Sequence, residues 1–126
     1  MNMPTIEEQI SEIPSQLRRA IKALSEDARL AVVVVLLKNG EMTFSELSRV
    51  LNMSSSNLTH HLKKLIQAAL IENFFQRKED SDEYSFYRAT LLAEDFTRNM
   101  LQSQEVVTPD AFIYPKIMPE NLVIIR

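Results

Sequence analysis

Apolar residues recur at helical spacing along most of this chain, and give way to strand-like alternation in one stretch only. Ile6, Ile10 and Ile13 follow Pro4-Thr5 and predict an amphipathic turn or two, too short to stand without docking on something. Pro14-Ser15-Gln16 opens a second helix with Leu17, Ile21 and Leu24 on its inward face. A third begins at Ser25, read as its N-cap, with Glu26 and Asp27 in the first turn. It ends behind Lys38 at Gly40, the only glycine, which suits a left-handed turn. Its middle, residues 31–37, is a β-branched run that also fits a buried strand; the agreement of the signals at both ends favours helix.

Thr43-Phe44-Ser45-Glu46 has the Thr-x-x-Glu spacing of a capping box and starts a helix that buries Phe44, Leu47, Val50 and Leu51. Asn52, tolerant of positive φ, marks a turn. Ser54 caps the next helix, whose inward stripe is Leu58, Leu62, Leu65 and Ala69. Residues 41–71 thus read as a helix-turn-helix. Partial alternation over residues 71–77 and 83–89, with the polar Lys78-Glu79-Asp80-Ser81-Asp82 between them, predicts a two-stranded hairpin. A final helix over residues 91–104 places Leu92, Phe96, Met100 and Leu101 on one side. Residues 107–126 hold three prolines and too many apolar side chains to lie in water, so an extended arm is expected.

The organisation expected from this pattern is mainly α with a small β-hairpin. A helical extension covers residues 1–13, the helix-turn-helix with its hairpin residues 14–90, a C-terminal dimerisation helix residues 91–105, and the arm residues 106–126.

A chain of 126 residues with 45% hydrophobic content is one domain with a real core, small enough for a second copy to cover remaining apolar surface. The absence of cysteine excludes disulfides, thiolate metal sites and thiol redox switching. No run has the length of a membrane span and no signal pattern opens the chain, so a soluble cytoplasmic protein is expected. The net charge of −3 confines any nucleic-acid contact to a local basic patch.

That patch is legible on the second helix of the motif. Ser54, Ser55, Ser56, Asn57, Thr59 and His60 supply groups able to read base edges at the end that enters a groove first, and Lys63 and Lys64 suit phosphate. A plainer reading is a serine-rich cap followed by a solvated face. Within a helix-turn-helix followed by a hairpin, groove recognition is favoured. Arg77, Lys78 and Arg88 on the hairpin suit phosphate or the minor groove. The hairpin tip does not: Glu79, Asp80, Asp82 and Glu83 put four carboxylates in five residues. A solvated turn accounts for them, and a protein-interaction module without direct DNA binding is the alternative function they keep open.

His60 and His61 are the only histidines, and helical neighbours point about 100° apart, too far to share a metal ion easily. His60 is expected to face DNA and His61 to be packed and hydrogen-bonded. No glycine-rich phosphate loop and no nucleophile–base arrangement is present, so neither an enzyme nor a cofactor is expected. Ile6, Ile10 and Ile13 at one end, with Phe96, Met100 and Leu101 at the other, form a candidate homodimer interface.

Helices, a helix-turn-helix and a following hairpin make a winged helix, and the residues narrow it. The segment from Ala23 to Leu30, ALSEDARL, resembles the "L-x-D-x-x-R-L" of ArsR-type transcription regulators, and Phe44-Ser45-Glu46-Leu47 resembles their "V-S-E-L". Leu51-Asn52-Met53-Ser54, the stretch LTHHLKKL from Leu58 to Leu65, and Ala68-Ala69-Leu70-Ile71 look like "L-G-L-S", "V-S-H-H-L-K-x-L" and "A-G-L-V". The resemblance spans roughly residues 20–90 and implies a homodimeric regulator of double-stranded DNA. It departs at three places. The cysteines of the family's metal sensors are missing from residues 42–47, so soft-metal sensing does not carry over, and no other effector class is indicated. Asn52 and Ala69 stand where glycines are usual, which implies slightly different turns. The proline-bearing tail lies outside the pattern.

Overall fold

In the computed structural model, residues 3–77 and 83–106 are described. They belong to two compact units, Met1–Glu94 and Asp95–Arg126. The turn expected at residues 78–82 and the arm expected at residues 107–126 lie outside the described residues.

The first unit begins with α1 (Ile6–Ile10), capped by a reciprocal box: Thr5 Oγ1 accepts from Glu8 N–H, and Glu8 Oε1 from Thr5 N–H. No residue of α1 is buried. In α2 (Ser15–Leu24) the buried residues are Ala20 and Ala23, with Leu17 and Leu24 half-covered and Ile21 exposed. The expected Leu17/Ile21/Leu24 stripe is therefore rotated, because small side chains let neighbouring helices approach closely and take the contact line. α3 (Asp27–Asn39) confirms the valine run as helix and buries Val32, Val33 and Leu36. Its N-cap is Glu26, without a side-chain cap bond. Ser25 instead closes α2, donating its hydroxyl to Lys22 O at 2.7 Å. Gly40 ends α3 with φ 77° and ψ −132°, a positive φ outside the left-handed helical well.

A two-residue strand, β1 (Met42–Thr43), then runs into α4 (Phe44–Leu51). Thr43 serves both elements. It pairs with Phe86 in the sheet and caps α4, accepting from Glu46 N–H at 3.2 Å while Glu46 Oε1 accepts from Thr43 N–H at 2.9 Å. Leu47 is fully buried, Phe44 and Leu51 half-buried, and Val50 is exposed at the end of the stripe. Asn52 takes the left-handed turn, φ 52°, and leads into α5 (Ser55–Gln67). Leu58, Leu62 and Leu65 of α5 are buried; beyond its end Ala68 is buried and Ala69 exposed.

The wing is β2 (Ile71–Arg77) and β3 (Glu83–Ala89), antiparallel in register Ile71↔Ala89 through Arg77↔Glu83. β1 adds to the far edge of β3 in the order β1-β3-β2, so the expected hairpin is part of a three-stranded sheet. Thr90 closes its base, donating from N–H to Leu70 O at 3.0 Å and from Oγ1 to Ala69 O at 2.7 Å. The same Oγ1 accepts from Ala93 N–H and so caps α6 (Leu91–Val106).

Ala69 carries φ 61°, so the left-handed turn that a glycine would make is kept rather than altered. An L side chain there costs about 1–2 kcal/mol, partly offset because alanine restricts the unfolded chain. Ala69→Gly is accordingly expected to raise unfolding free energy by roughly 0.5–1 kcal/mol in denaturant titration. A destabilised Ala69→Gly would show the turn to be unstrained.

Candidate nucleic-acid interface

The helix-turn-helix presents α5 by burying one of its sides. Ser54 caps the helix, its Oγ accepting from Asn57 N–H at 3.3 Å, which commits that hydroxyl to the backbone. With Leu58, Leu62 and Leu65 turned inward, Ser55, Ser56, Asn57, Thr59, His60, Lys63 and Lys64 are all exposed. Neither lysine is ion-paired among the described residues. The helix thus offers hydroxyl, amide and imidazole groups at its N-terminal half and two uncommitted ammonium groups one turn further on. Anions are also favoured at that N-terminus by its unpaired backbone N–H groups.

α5 is anchored to the rest of the unit by polar contacts that sequence reasoning missed. Gln16 of α2 donates to Ala68 O at 2.7 Å, holding the C-terminal end. Arg29 of α3, buried, donates from Nε to Ala23 O at 2.7 Å and lies with Nη2 3.5 Å from Glu26. Its Nη1 is 3.4 Å from His61 Nδ1. No local pattern marks Arg29 as buried; the sequence hints are its place as the arginine of the L-x-D-x-x-R-L segment and the acidic Glu26 one turn before it. His60 is exposed and His61 half-buried, as their spacing predicts, with ring centroids 5.2 Å apart. Burial, followed by the positive charge of Arg29, holds the His61 pKa below the ordinary imidazole value.

The wing separates its cations. Arg88 stands against Glu72 at 3.2 Å and Glu41 at 3.8 Å, with its guanidinium 4.4 Å from the centre of the Phe74 ring. Phe74 in turn stacks on Phe86 at 5.7 Å. Arg88 therefore serves the root of the sheet, sharing its charge between two carboxylates. Arg77 is exposed near the far end of β2. Lys78 lies outside the described residues. Phe75, on the same strand face as Arg77, is 65% exposed and was not singled out by the sequence.

The profile of the bacterial regulatory proteins of the arsR family matches residues 26–73, from the N-cap of α3 into β2. Over this stretch the chain resembles the ArsR family, and its fold is a winged helix-turn-helix. The arsenical resistance operon repressor of Bacillus subtilis is 29% identical over 82 residues, 65% of this chain and 73% of that protein. Among solved structures, HlyU from Vibrio cholerae is similar with TM-score 0.57 and 26% identity over 71% of this chain and 92% of its own. The homodimeric winged helix-turn-helix DNA-binding domain of a possible ArsR-family regulator from Mycobacterium bovis gives TM-score 0.57 at 23% identity, covering 84% and 89%. In this ArsR-like chain the matched region contains both helices of the motif. Among the described residues no helix is long and apolar enough to cross a membrane.

Proposed function

We propose that this chain is a homodimeric, sequence-specific regulator of transcription that binds double-stranded DNA. The observation that carries the reading is α5. Its three leucines are buried, while seven groups suited to bases and phosphates stand exposed on the same helix. The ArsR-like resemblance supports it: the Bacillus subtilis relative is a repressor. The chain acts by binding rather than by catalysis.

Ser55, Ser56, Asn57, Thr59 and His60 read bases, and Lys63 and Lys64 hold phosphates. Arg77 and Lys78 are the wing's contribution. Arg88 supports the sheet that carries them, and Ser54 supports the helix. Dimerisation is supported by apolar surface left open in each unit: Ile6 and Ile13 in the first, Met100 and Leu101 in the second. The Mycobacterium bovis relative is itself homodimeric. With Ile10 and Phe96 these residues are the proposed interface. A two-fold dimer would set two copies of α5 about 34 Å apart, one turn of duplex.

Binding the purified chain to fragmented genomic DNA at two salt concentrations tests this reading. A selected subset of fragments, bound more weakly at high salt by a species of twice the chain mass, is the expected result. Asn57→Ala and His60→Ala should then relax preference at single base pairs by about 1–3 kcal/mol while leaving the salt slope unchanged. Failure of a dimeric sample to bind any fragment in a salt-dependent way rejects the proposal. The exposed Phe75 and the committed Arg88 favour a second reading, in which the wing docks another protein. Under it, charge reversal at Asp80 and Asp82 would break the complex and Lys63→Ala would not.

A further inference from the structure

One buried cation touches the recognition helix without reaching its exposed face. The Arg29 guanidinium joins three helices, through Ala23 O of α2, Glu26 at the start of α3 and His61 Nδ1 of α5. A guanidinium only donates, so the His61 nitrogen that meets it presents a lone pair, and the proton of the neutral ring sits on Nε2. We propose that the Arg29–His61 contact positions the recognition helix for DNA, and that it holds only while His61 is neutral. This rests on the DNA-binding reading above.

Protonation of His61 at Nδ1 removes the acceptor that faces Arg29 and sets two positive charges 3.4 Å apart. The charged and titratable groups acting on the ring are Arg29 and Glu26 from α3 and His60 from its own helix; α2 enters through the Ala23 carbonyl held by Arg29. Glu26 favours the charged ring, but its carboxylate is 57% exposed and already faces Arg29, whose side chain is 10% exposed. Of these two charges the buried cation therefore outweighs the carboxylate, and the lowered pKa of His61, caused first by burial and then by Arg29, agrees in direction. Arg29 and His61 are thus positioning residues, with a pH signature distinct from that of a contact residue.

The test compares the full chain with two variants from about pH 8 to about pH 5, the interval in which imidazole titrates. His61→Asn places an amide oxygen close to where Nδ1 stood and cannot titrate. His61→Phe removes the acceptor at every pH. DNA affinity is measured alongside the ring-nitrogen and backbone-amide NMR shifts of α5. Below the His61 midpoint the parent is expected to lose up to about tenfold in affinity per pH unit for each protomer of the bound dimer, relative to His61→Asn, as the competent fraction falls. His61→Phe should bind more weakly throughout, and the α5 amides of the parent should move with the His61 ring. Parallel profiles for the parent and His61→Asn would overturn the inference. So would a His61 that titrates with its proton already on Nδ1 at neutral pH, or without moving the α5 amides. If no form binds DNA at any pH, the functional reading fails, and the ring tautomer and the coupled amide shifts still decide the positioning contact.

Discussion

Replacing Lys63 and Lys64 together by alanine is expected to lower affinity for duplex DNA of every sequence by roughly 60-fold at about 0.1 M salt, with the slope of log K against log salt reduced by about 2. The magnitude follows from counterion release. Each phosphate neutralised contributes about −0.9 to that slope, which is roughly eightfold per contact between about 1 M and about 0.1 M salt. Both ammonium groups are exposed and without ion pairs among the described residues, so the substitution removes no internal contact and should leave the melting temperature nearly unchanged. Fluorescence anisotropy across a salt series reads both quantities. A loss of affinity with an unchanged slope would place the lysines away from phosphate. The effect should be visible because a chain of net charge −3 has no general basic excess to stand in for them.

The second large effect lies one turn earlier, on the other side of the same helix. Leu58 is fully buried, and Leu58→Ala is expected to cost about 2–5 kcal/mol, the lost transfer free energy plus the cavity left behind. Against a typical total of about 5–15 kcal/mol this is a large share, and thermal or denaturant unfolding should report it directly. Its neighbour supplies the control. Asn57 is exposed and meets Ser54 through its backbone N–H, not its side chain, so Asn57→Ala should stay within about 0.5 kcal/mol of the parent. A stable Leu58→Ala protein would mean that α5 is not held by its apolar side, and the account of how the helix is presented would fail with it.

What could be read from the residues was local. The Thr43–Glu46 box, the positive φ of Asn52, the Ser54 cap and the buried Leu58/Leu62/Leu65 stripe each involve groups within a turn or two of one another. What could not be read depends on partners far along the chain. β1 is two residues long, too short to show a period, and its partners Tyr87 and Phe86 lie on the other side of the whole motif. Ile21 reads as core by its chemistry but is exposed, because the contact line of α2 follows its alanines. Ser25 is a good N-cap residue, and the helix it serves is the one before it. The site divides in the same way. The exposed positions of α5 follow from periodicity alone. The commitment of Arg88 to Glu72 and Glu41, and of Arg29 to His61, depends on how strands and helices come together.

Thr90 carries a consequence for how such a chain tolerates change. Its bonds to Leu70 and Ala69 shut the hairpin from below, and its hydroxyl also starts α6. The paired strands Ile71–Arg77 and Glu83–Ala89 therefore run out from a closed ring of contacts, like two ropes from a knot. Residue pairs gained or lost along these two strands alter the reach of the wing without altering the point from which α6 departs. A matched change in the length of β2 and β3 is then one that the motif can absorb without disturbing the helix that follows.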